Sequence, residues 1–213
     1  MAKVGVLIRA YKLTKWLPAV IKQYQWVDRI LIMNYRFPNV EDCADDTPEI
    51  AKKYGCEIIT GGEEQQHVIL NKGLKELSDC DCVFISDADE FILREDMDKI
   101  VELIEPYDGL MVSLVDYLDF DHSLPIRTHH PIVAVNPNKV NFNDVRCYSG
   151  NNLNYGDIVM HHFGYAWKGD ELDWKHINKW YPAFFEDMNK PTVDADCPQP
   201  IRDLINENTV STS

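Results

Sequence analysis

Residues 81–91, "DCVFISDADEF", are the stretch that decides the predicted fold. An apolar run, Val83–Ile85, leads to two carboxylates, Asp87 and Asp89, with only Ala88 between them. Side chains two positions apart in a strand point to the same face, so the carboxylates converge if the strand continues through them. Two carboxylates held together repel each other unless they share a proton or a cation. The stretch predicts a buried strand that ends at a divalent-metal site; the alternative is a solvated loop.

Short apolar strands alternate with helical patterns on the amino-terminal side of this stretch. The strand patterns lie at residues 3–11, 29–35, 56–60 and 81–87, and the helical patterns lie at 14–24, 46–55 and 63–79. The second helical pattern has the clearest limits, with Thr47 as its cap, Pro48 in its first turn and Gly55 at its end. This alternation is typical of a mostly parallel sheet with helices on both faces, so the predicted fold class is α/β.

The pattern becomes irregular in the second half of the chain. A helical pattern at 96–106 and a strand pattern at 109–117 precede a region rich in proline and asparagine, with strand-like pieces at 131–137 and 157–163. An amphipathic, aromatic-rich helical pattern follows at 173–188. We predict one domain over 1–213, with a regular half at about 1–105, an irregular half at about 106–190 and a loosely packed polar tail at 191–213.

The chain is acidic, because 35 Asp and Glu oppose 21 Lys and Arg and give its 213 residues a formal net charge of −14. Such a charge repels polyphosphate backbones and disfavours nucleic acid as a partner, although a modified base stays among the candidate acceptors. No stretch approaches the ~18 apolar residues of a membrane span, and Arg9 interrupts the first apolar run. We therefore expect a soluble, cytoplasmic protein without a transmembrane segment.

The segment at 67–91 resembles the glycosyltransferases of family 2, which have the GT-A fold. In that family a helix with an Asn-x-Gly-Leu element runs into a strand that ends in Asp-x-Asp, and Asn71, Gly73 and Leu74 stand at the matching places. The resemblance extends over about residues 3–92. It implies a Rossmann-like GT-A sheet in which the regular half binds a nucleotide sugar and the irregular half binds the acceptor.

The same resemblance implies where the nucleotide lies. The turn after strand one, Arg9-Ala10-Tyr11, matches the family's nucleotide-binding entrance, with Tyr11 placed to stack on the base, and we count Asn71 among the donor-binding residues. Most relatives end strand two in an aspartate that reads the base, and in this chain Asn34 stands at that place. Because an amide both donates and accepts hydrogen bonds, the choice of base is less restricted, and UDP is the nucleotide that we favour.

Residues 157–170, "DIVMHHFGYAWKGD", resemble the stretch that completes the metal site in many metal-dependent GT-A enzymes. Because neighbouring strand residues point to opposite faces, one of His161 and His162 reaches the ion, and we favour His162; the alternative is a ring bonded within the core. The resemblance implies that Asp89 binds the metal directly, while Asp87 contacts the ribose or reaches the metal through water.

The expected ion is Mn²⁺ or Mg²⁺, since hard oxygen ligands with one imidazole suit these metals. The ion would neutralise charge on the leaving diphosphate, so Asp89 also counts as catalytic, and Lys168 would add a second positive contact. An inverting transferase needs a carboxylate base, and we favour Asp144. The other positions considered for the base are Asp116, Asp119, Asp121, Asp170 and Glu171. A retaining mechanism needs no such base, and the sequence leaves both mechanisms open.

These features predict a metal-dependent hexosyl- or pentosyltransferase that moves a sugar from a nucleoside-diphosphate sugar to an acceptor hydroxyl. The candidate acceptors are a glycan, a lipid-linked sugar, a protein or a modified base. One alternative is a non-catalytic nucleotide-sugar or glycan-binding module on the same fold. Another is an aspartyl-phosphate phosphatase, a class that usually carries Asp-x-Asp on its first strand, whereas here the motif follows about the fourth strand and precedes Glu90-Phe91.

Overall fold

The computed structural model describes residues 2–11, 15–36, 45–117, 120–123, 130–144, 146–163 and 193–208. The strands are Val4–Ala10 (β1), Arg29–Tyr35 (β2), Glu57–Gly61 (β3), Cys82–Asp87 (β4), Glu90–Phe91 (β5), Gly109–Asp116 (β6), His122–Ser123 (β7), Ile132–Val135 (β8), Asn152–His162 (β9) and Val193–Asp194 (β10). The helices are Leu17–Gln23 (α1), Thr47–Lys53 (α2), Gln66–Glu76 (α3), Arg94–Leu103 (α4) and Gln199–Asn208 (α5). Each strand and helix pattern predicted before residue 106 therefore has a counterpart in the structure.

A mixed sheet forms the centre of the molecule. Within the described residues it has eight strands, in the order β3-β2-β1-β4-β8-β6-β9-β5. The neighbours β3, β2, β1 and β4 run parallel to one another, and so do β6 and β9. Strand β8 is antiparallel to β4 and β6, and β5 is antiparallel to β9. The predicted mostly parallel sheet is confirmed, and the antiparallel β8 joins its two parallel parts.

Strand β1 shows why helices cover both faces of this sheet. Val6 and Ile8 belong to a hydrophobic cluster that includes buried residues of α1, α4 and α5. Leu7 belongs to a second cluster, which includes buried residues of α3. Successive side chains of a strand point to opposite faces, so a strand that is apolar throughout needs cover on both sides. The predicted placement of helices on both faces is therefore confirmed.

The helix α2 and the carboxyl-terminal segment differ from the sequence expectations. Asp46 is the N-cap of α2, while Thr47 lies in the first turn, where its hydroxyl donates to Asp45 Oδ1 at 2.6 Å. The polar composition of the tail predicts loose packing, yet α5 packs against α1 and buries Ile201 and Ile205. Two isoleucines four positions apart lie on one face of a helix, so a largely polar segment still has an apolar stripe to bury.

The second half of the sheet brings two strand ends together. Strands β6 and β9 run side by side, with a register shift between Val112 and Ser113, and end with Asp116 opposite His162. The aromatic-rich helical pattern at 173–188 lies outside the described residues. Among the helices of the described segments, none is long and apolar enough to cross a membrane.

Candidate active site

Polar side chains collect where the parallel strands end. Arg9 lies opposite Asp87 at the ends of β1 and β4, and Asp116 lies opposite His162 at the ends of β6 and β9. The short strand β5 then pairs with β9 and places Glu90 opposite His162 as well. Open α/β sheets bind their ligands outside the carboxyl ends of their strands. This edge of the sheet is therefore the candidate active site.

Two arginines hold the first aspartate of the Asp-x-Asp motif. Arg9 donates to both carboxylate oxygens of Asp87, at 2.8 and 2.6 Å, and Arg146 lies 3.1 Å from Asp87 Oδ1. Arg146 also donates to both oxygens of Glu90, at 2.8 and 2.7 Å, and Glu90 Oε2 accepts the backbone N–H of Asp87 at 2.7 Å. We call Arg9, Asp87, Arg146 and Glu90 the arginine–carboxylate network.

The network keeps Asp87 ionised. Burial alone would raise the pKa of the Asp87 carboxyl, but the charges of Arg146 and Arg9 outweigh burial and hold that pKa well below its usual range. Burial would likewise lower the pKa of Arg146, but Asp87 and Glu90 raise it above its usual value. Charged and bidentate hydrogen bonds of this kind fix the planes of the carboxylates as well as their charge.

His162 links two further carboxylates beside the network. Its Nδ1 lies 2.6 Å from Asp116 Oδ1, and its Nε2 lies 3.7 Å from Asp89 Oδ2. Burial would lower the pKa of His162, but Asp89 and Asp116 raise it to about 9. Burial raises the pKa of Asp89 to about 6. The positive charge of His162 opposes this rise, and the negative charges of Asp87 and Glu90 add to it. At neutral pH the imidazole of His162 is therefore protonated in this arrangement.

His161 points away from this group. Its Nδ1 lies 3.0 Å from the hydroxyl of Tyr117, the two rings are stacked, and the side chain is buried. Burial lowers the pKa of His161 to about 4, so this ring is neutral. The two neighbouring histidines thus diverge, as the alternation of a strand predicts, and His162 is the one that faces Asp89.

Asp89 and His162 fit a divalent ion as a pair of ligands. Two atoms that each lie about 2.1 Å from one ion are about 3–4 Å from each other, which matches the separation of Asp89 Oδ2 and His162 Nε2. Asp116 holds the other ring nitrogen, as the outer partner of a metal-bound histidine does. Asp87 fits less well, because guanidinium groups bind both of its oxygens. No three acidic, histidine or cysteine side chains in the described segments form a ready-made metal cluster.

A large part of the chain matches a known protein family. Residues 19–167, which hold Asp87, Asp89 and His162, match the family model described as Glycosyl transferase family 2. The chain belongs to this family. The match covers more than half of the sequence and confirms the resemblance that the Asp-x-Asp stretch indicates.

Solved structures agree with the GT-A fold. S. aureus TarS 1–349 aligns with 76% of this chain and 60% of its own, at 14% identity and a TM-score of 0.53. The longer S. aureus TarS structure aligns with 76% of this chain and 36% of its own, at 16% identity and a TM-score of 0.50. The chain thus spans less than two thirds of the length of these proteins.

Another similar structure is glucosyl-3-phosphoglycerate synthase from Mycobacterium tuberculosis in complex with Mn²⁺, UDP and glucosyl-3-phosphoglycerate. It aligns with 55% of this chain and 44% of its own, at 16% identity and a TM-score of 0.42. A search of curated proteins finds no match.

The residues that the family resemblance assigns to the nucleotide lie at the ends of β1 and β2. Ala10 and Asn34 are register partners there, and both are buried. Tyr11 follows directly and is 8% exposed. The buried Oδ1 of Asn34 has no hydrogen-bond partner in the part of the chain that the structure describes. Lys168 lies outside the described residues.

Asn71 and Asp144 are associated with the described loop residues 140–144 and 146–148. In α3, the amide of Asn71 donates to the backbone oxygen of Phe142 and accepts its N–H, both at 2.8 Å. Asp144 is exposed. The backbone N–H of Cys147 donates to the backbone oxygen of Asp144 at 3.3 Å. Asn71 therefore holds the loop that carries Arg146. The contact of Asn71 with the donor and the role of Asp144 as base stay predictions.

Sequence reasoning missed three contributors to this site. Glu90 is 5% exposed and bound to Arg146, so the solvated-loop alternative for this stretch is wrong. Gln23 of α1 fixes β5, because its amide donates to Glu90 O at 2.7 Å and accepts the N–H of Ile92 at 3.1 Å. The position of Glu90 directly after Asp-x-Asp was a usable signal. Arg146 and Gln23 have no motif around them, and only the folded chain brings them to the strand ends.

Proposed function

We propose that the chain is a metal-dependent glycosyltransferase that moves a hexose or pentose from a nucleoside-diphosphate sugar, UDP being favoured, to an acceptor hydroxyl. The observation that carries the proposal is the group formed by Asp89, in the turn between β4 and β5, with Asp116 and His162 at the ends of β6 and β9, beside the arginine–carboxylate network. Family membership supports glycosyl transfer as the reaction class. The cytoplasmic location expected from the sequence belongs to the same proposal.

Asp89 and His162 are the residues that would hold Mn²⁺ or Mg²⁺. To do so, His162 must give up its Nε2 proton, and Asp116 then keeps the ring oriented through Nδ1. A bound ion of this kind would neutralise the charge that develops on the leaving diphosphate. Asp87, which two arginines orient, would accept a hydrogen bond from the ribose, and Lys168 is the predicted second contact to the phosphates.

Asn34 supports uracil as the base. Its buried Oδ1 has no partner in the described residues and would accept a hydrogen bond from the N3–H of uracil. Cytosine presents an acceptor at N3, so it would need the amide nitrogen of Asn34 in place of this oxygen. Ala10 and Tyr11, at the neighbouring strand end, would line the base, and Tyr11 would stack on it.

The acceptor half of the proposal rests on Asp144 as the base of an inverting reaction. Asp144 is exposed and lies two residues from Arg146, so it stands on the loop that reaches the strand ends. Asp116, the other described candidate near the site, is held against His162. Among the remaining candidates, Asp119, Asp170 and Glu171 lie outside the described residues, and Asp121 pairs with Arg202 at 2.8 Å.

The test is a panel of UDP-, GDP-, CDP- and ADP-sugars, scored by thermal unfolding with Mn²⁺ and by release of nucleoside diphosphate. We expect UDP-sugars to raise the melting temperature most and to be hydrolysed slowly even without an acceptor, because ligands that bind the native state stabilise it. Stabilisation without release of diphosphate in the presence of candidate acceptors would favour the binding-module alternative. Hydrolysis of phosphate esters through a phosphorylated Asp87 would favour the phosphatase alternative.

A further inference from the structure

Arg146 reaches the site from a loop of the irregular half. Its backbone has a φ of 47°, in the left-handed region that residues other than glycine rarely adopt, and its side chain is 9% exposed. One terminal nitrogen donates to Glu90, and the other lies within bonding distance of both Glu90 and Asp87. A charged side chain in this state is held there by its partners, since burial of an unpaired guanidinium is costly.

The loop that carries Arg146 is fixed to the helix in front of the motif. The two hydrogen bonds between Asn71 and the backbone of Phe142 tie the loop to α3, and the buried Phe142 ring packs edge-on against Tyr148. Within the loop, Asn143 N–H donates to the backbone oxygen of Cys147 at 3.0 Å. Arg146 therefore approaches the carboxylates from an anchored turn.

The two arginines act on Asp87 in different ways. Arg9 binds it from the neighbouring strand with the Nε and terminal nitrogen of its guanidinium. Arg146 instead connects Asp87 to Glu90, whose own oxygen holds the backbone N–H of Asp87. The planar fork of Arg146 thus fixes the orientation of two buried carboxylates, which the point charge of a lysine does not do.

We propose that Arg146 is a positioning residue of the donor site, which acts through Asp87 by holding its carboxylate in a fixed orientation toward the nucleotide. The inference rests on the proposed function, because it presumes that Asp87 contacts a nucleoside-diphosphate donor. Because Asp87 is bound by the two arginines and is not a direct metal ligand in this inference, Asp89 and His162 should keep their affinity for a metal ion when Arg146 is substituted.

The test compares Arg146→Lys, the double variant Arg146→Met with Glu90→Gln, and Arg29→Lys as a matched control. The double variant removes both charges of the pair, because a lone Arg146→Met leaves Glu90 buried without its cation and risks unfolding. Arg29 is a suitable control because it also binds a carboxylate with two nitrogens, Glu57 at 2.8 and 2.7 Å, but does so at the start of β2.

UDP binding by isothermal titration, Mn²⁺ binding alone by electron paramagnetic resonance and thermal unfolding are measured for each protein. We expect Arg146→Lys and the double variant to bind UDP about tenfold or more weakly and Mn²⁺ within about twofold of the wild type, because the fork that orients Asp87 is lost while the metal pair remains. Arg29→Lys should lower the melting temperature and leave the affinity for UDP unchanged.

Folded Arg146 variants with the UDP affinity of the wild type would overturn the inference and leave the proposed function standing. An equal loss of UDP affinity in Arg29→Lys would also overturn it, because the effect would then be general destabilisation. A loss of Mn²⁺ affinity in the same variants would contradict the inference that Asp87 is held by the arginines and does not bind the metal directly. A wild-type protein that binds none of UDP, GDP, CDP and ADP would refute the proposed function, and the inference with it.

Discussion

At the scale of single residues, the two aspartates of the motif lie in opposite environments although only Ala88 separates them. Asp87 lies between two guanidinium groups that hold its pKa down, whereas burial raises the pKa of Asp89 to about 6. A carboxylate that arginines already neutralise has little attraction left for a metal, while a buried one beside a single imidazole gains from a cation. We therefore assign different roles to two residues that look alike in the sequence.

Asp89→Asn should separate function from stability. The amide keeps the shape of the side chain but loses the charge that holds a cation, so we expect turnover with Mn²⁺ to fall by about a hundredfold or more, or ~3 kcal/mol of transition-state stabilisation. The metal-free variant should melt at the same temperature as the wild type or slightly higher, because a buried carboxylate near Asp87 and Glu90 becomes neutral. Donor hydrolysis and thermal unfolding, measured on the same preparations, check both statements. A fully active variant, or one unfolded without metal, would contradict this assignment.

The two histidines supply a second test at this scale. His162→Ala should weaken Mn²⁺-dependent binding of UDP, because it removes the nitrogen that faces Asp89 at 3.7 Å. His161→Ala should leave that binding intact and lower the stability by about 1–3 kcal/mol, because the hydroxyl of Tyr117 loses its buried partner. Isothermal titration and chemical denaturation of both variants distinguish these effects. The opposite outcome, with His161→Ala impaired in binding, would reverse the roles.

At the scale of elements, α3 shows that the Asn-x-Gly-Leu element has a packing role. Asn71 holds the loop of Arg146, Leu74 is buried in the second hydrophobic cluster, and Gly73 lies directly against Leu7 of β1. A Cβ at Gly73 would clash with the Leu7 side chain, whose Cγ would lie 2.9 Å away. The element thus lets a helix approach the central strand closely while it fixes a loop of the candidate active site.

Gly73→Ala should therefore be destabilising although alanine is the better helix former. The gain in helix propensity is about 1 kcal/mol, whereas the overpacking of a fully buried leucine costs about 1–3 kcal/mol and shifts α3 as well. Chemical denaturation gives the net change in the free energy of unfolding. Gly62→Ala is the control, since a Cβ there meets no atom of the described residues within 4 Å. Equal stability of the two variants would show that α3 is free to move.

Elements with a local signal were predictable, and elements defined by distant partners were not. Strand β2 is predicted at 29–35 and is found at Arg29–Tyr35, because an apolar run between polar turns marks it in the sequence itself. The antiparallel insertion of β8 between β4 and β6 has no such signal, because pairing across the sheet depends on tertiary packing. Arg146 was missed for the same reason, since its partners Asp87 and Glu90 are more than 50 positions away.

At the scale of the whole molecule, the charge of the chain opposes the binding of its proposed donor. The formal net charge is −14, and a nucleoside diphosphate is itself an anion. Arg9 and Arg146 lie at the strand ends, but Asp87 and Glu90 already neutralise them. Under the proposed function, a cation taken up from solution, together with the predicted contact from Lys168, would supply the attraction that a diphosphate needs.

Metal removal should consequently weaken donor binding far more than it weakens the fold. We expect UDP to bind at least about tenfold more tightly in Mn²⁺ or Mg²⁺ than in chelator, as a bound ion is often the largest local charge in such a site. Without nucleotide, the melting temperature should change little, because the described core is built from apolar strands and helices on both faces of the sheet. Isothermal titration in the two buffers measures the difference, and Asp89→Asn is the control that should bind UDP equally weakly in both. Equal affinity for the wild type in metal and in chelator would refute the metal bridge, and the diphosphate would then have to be held by the protein's own cations.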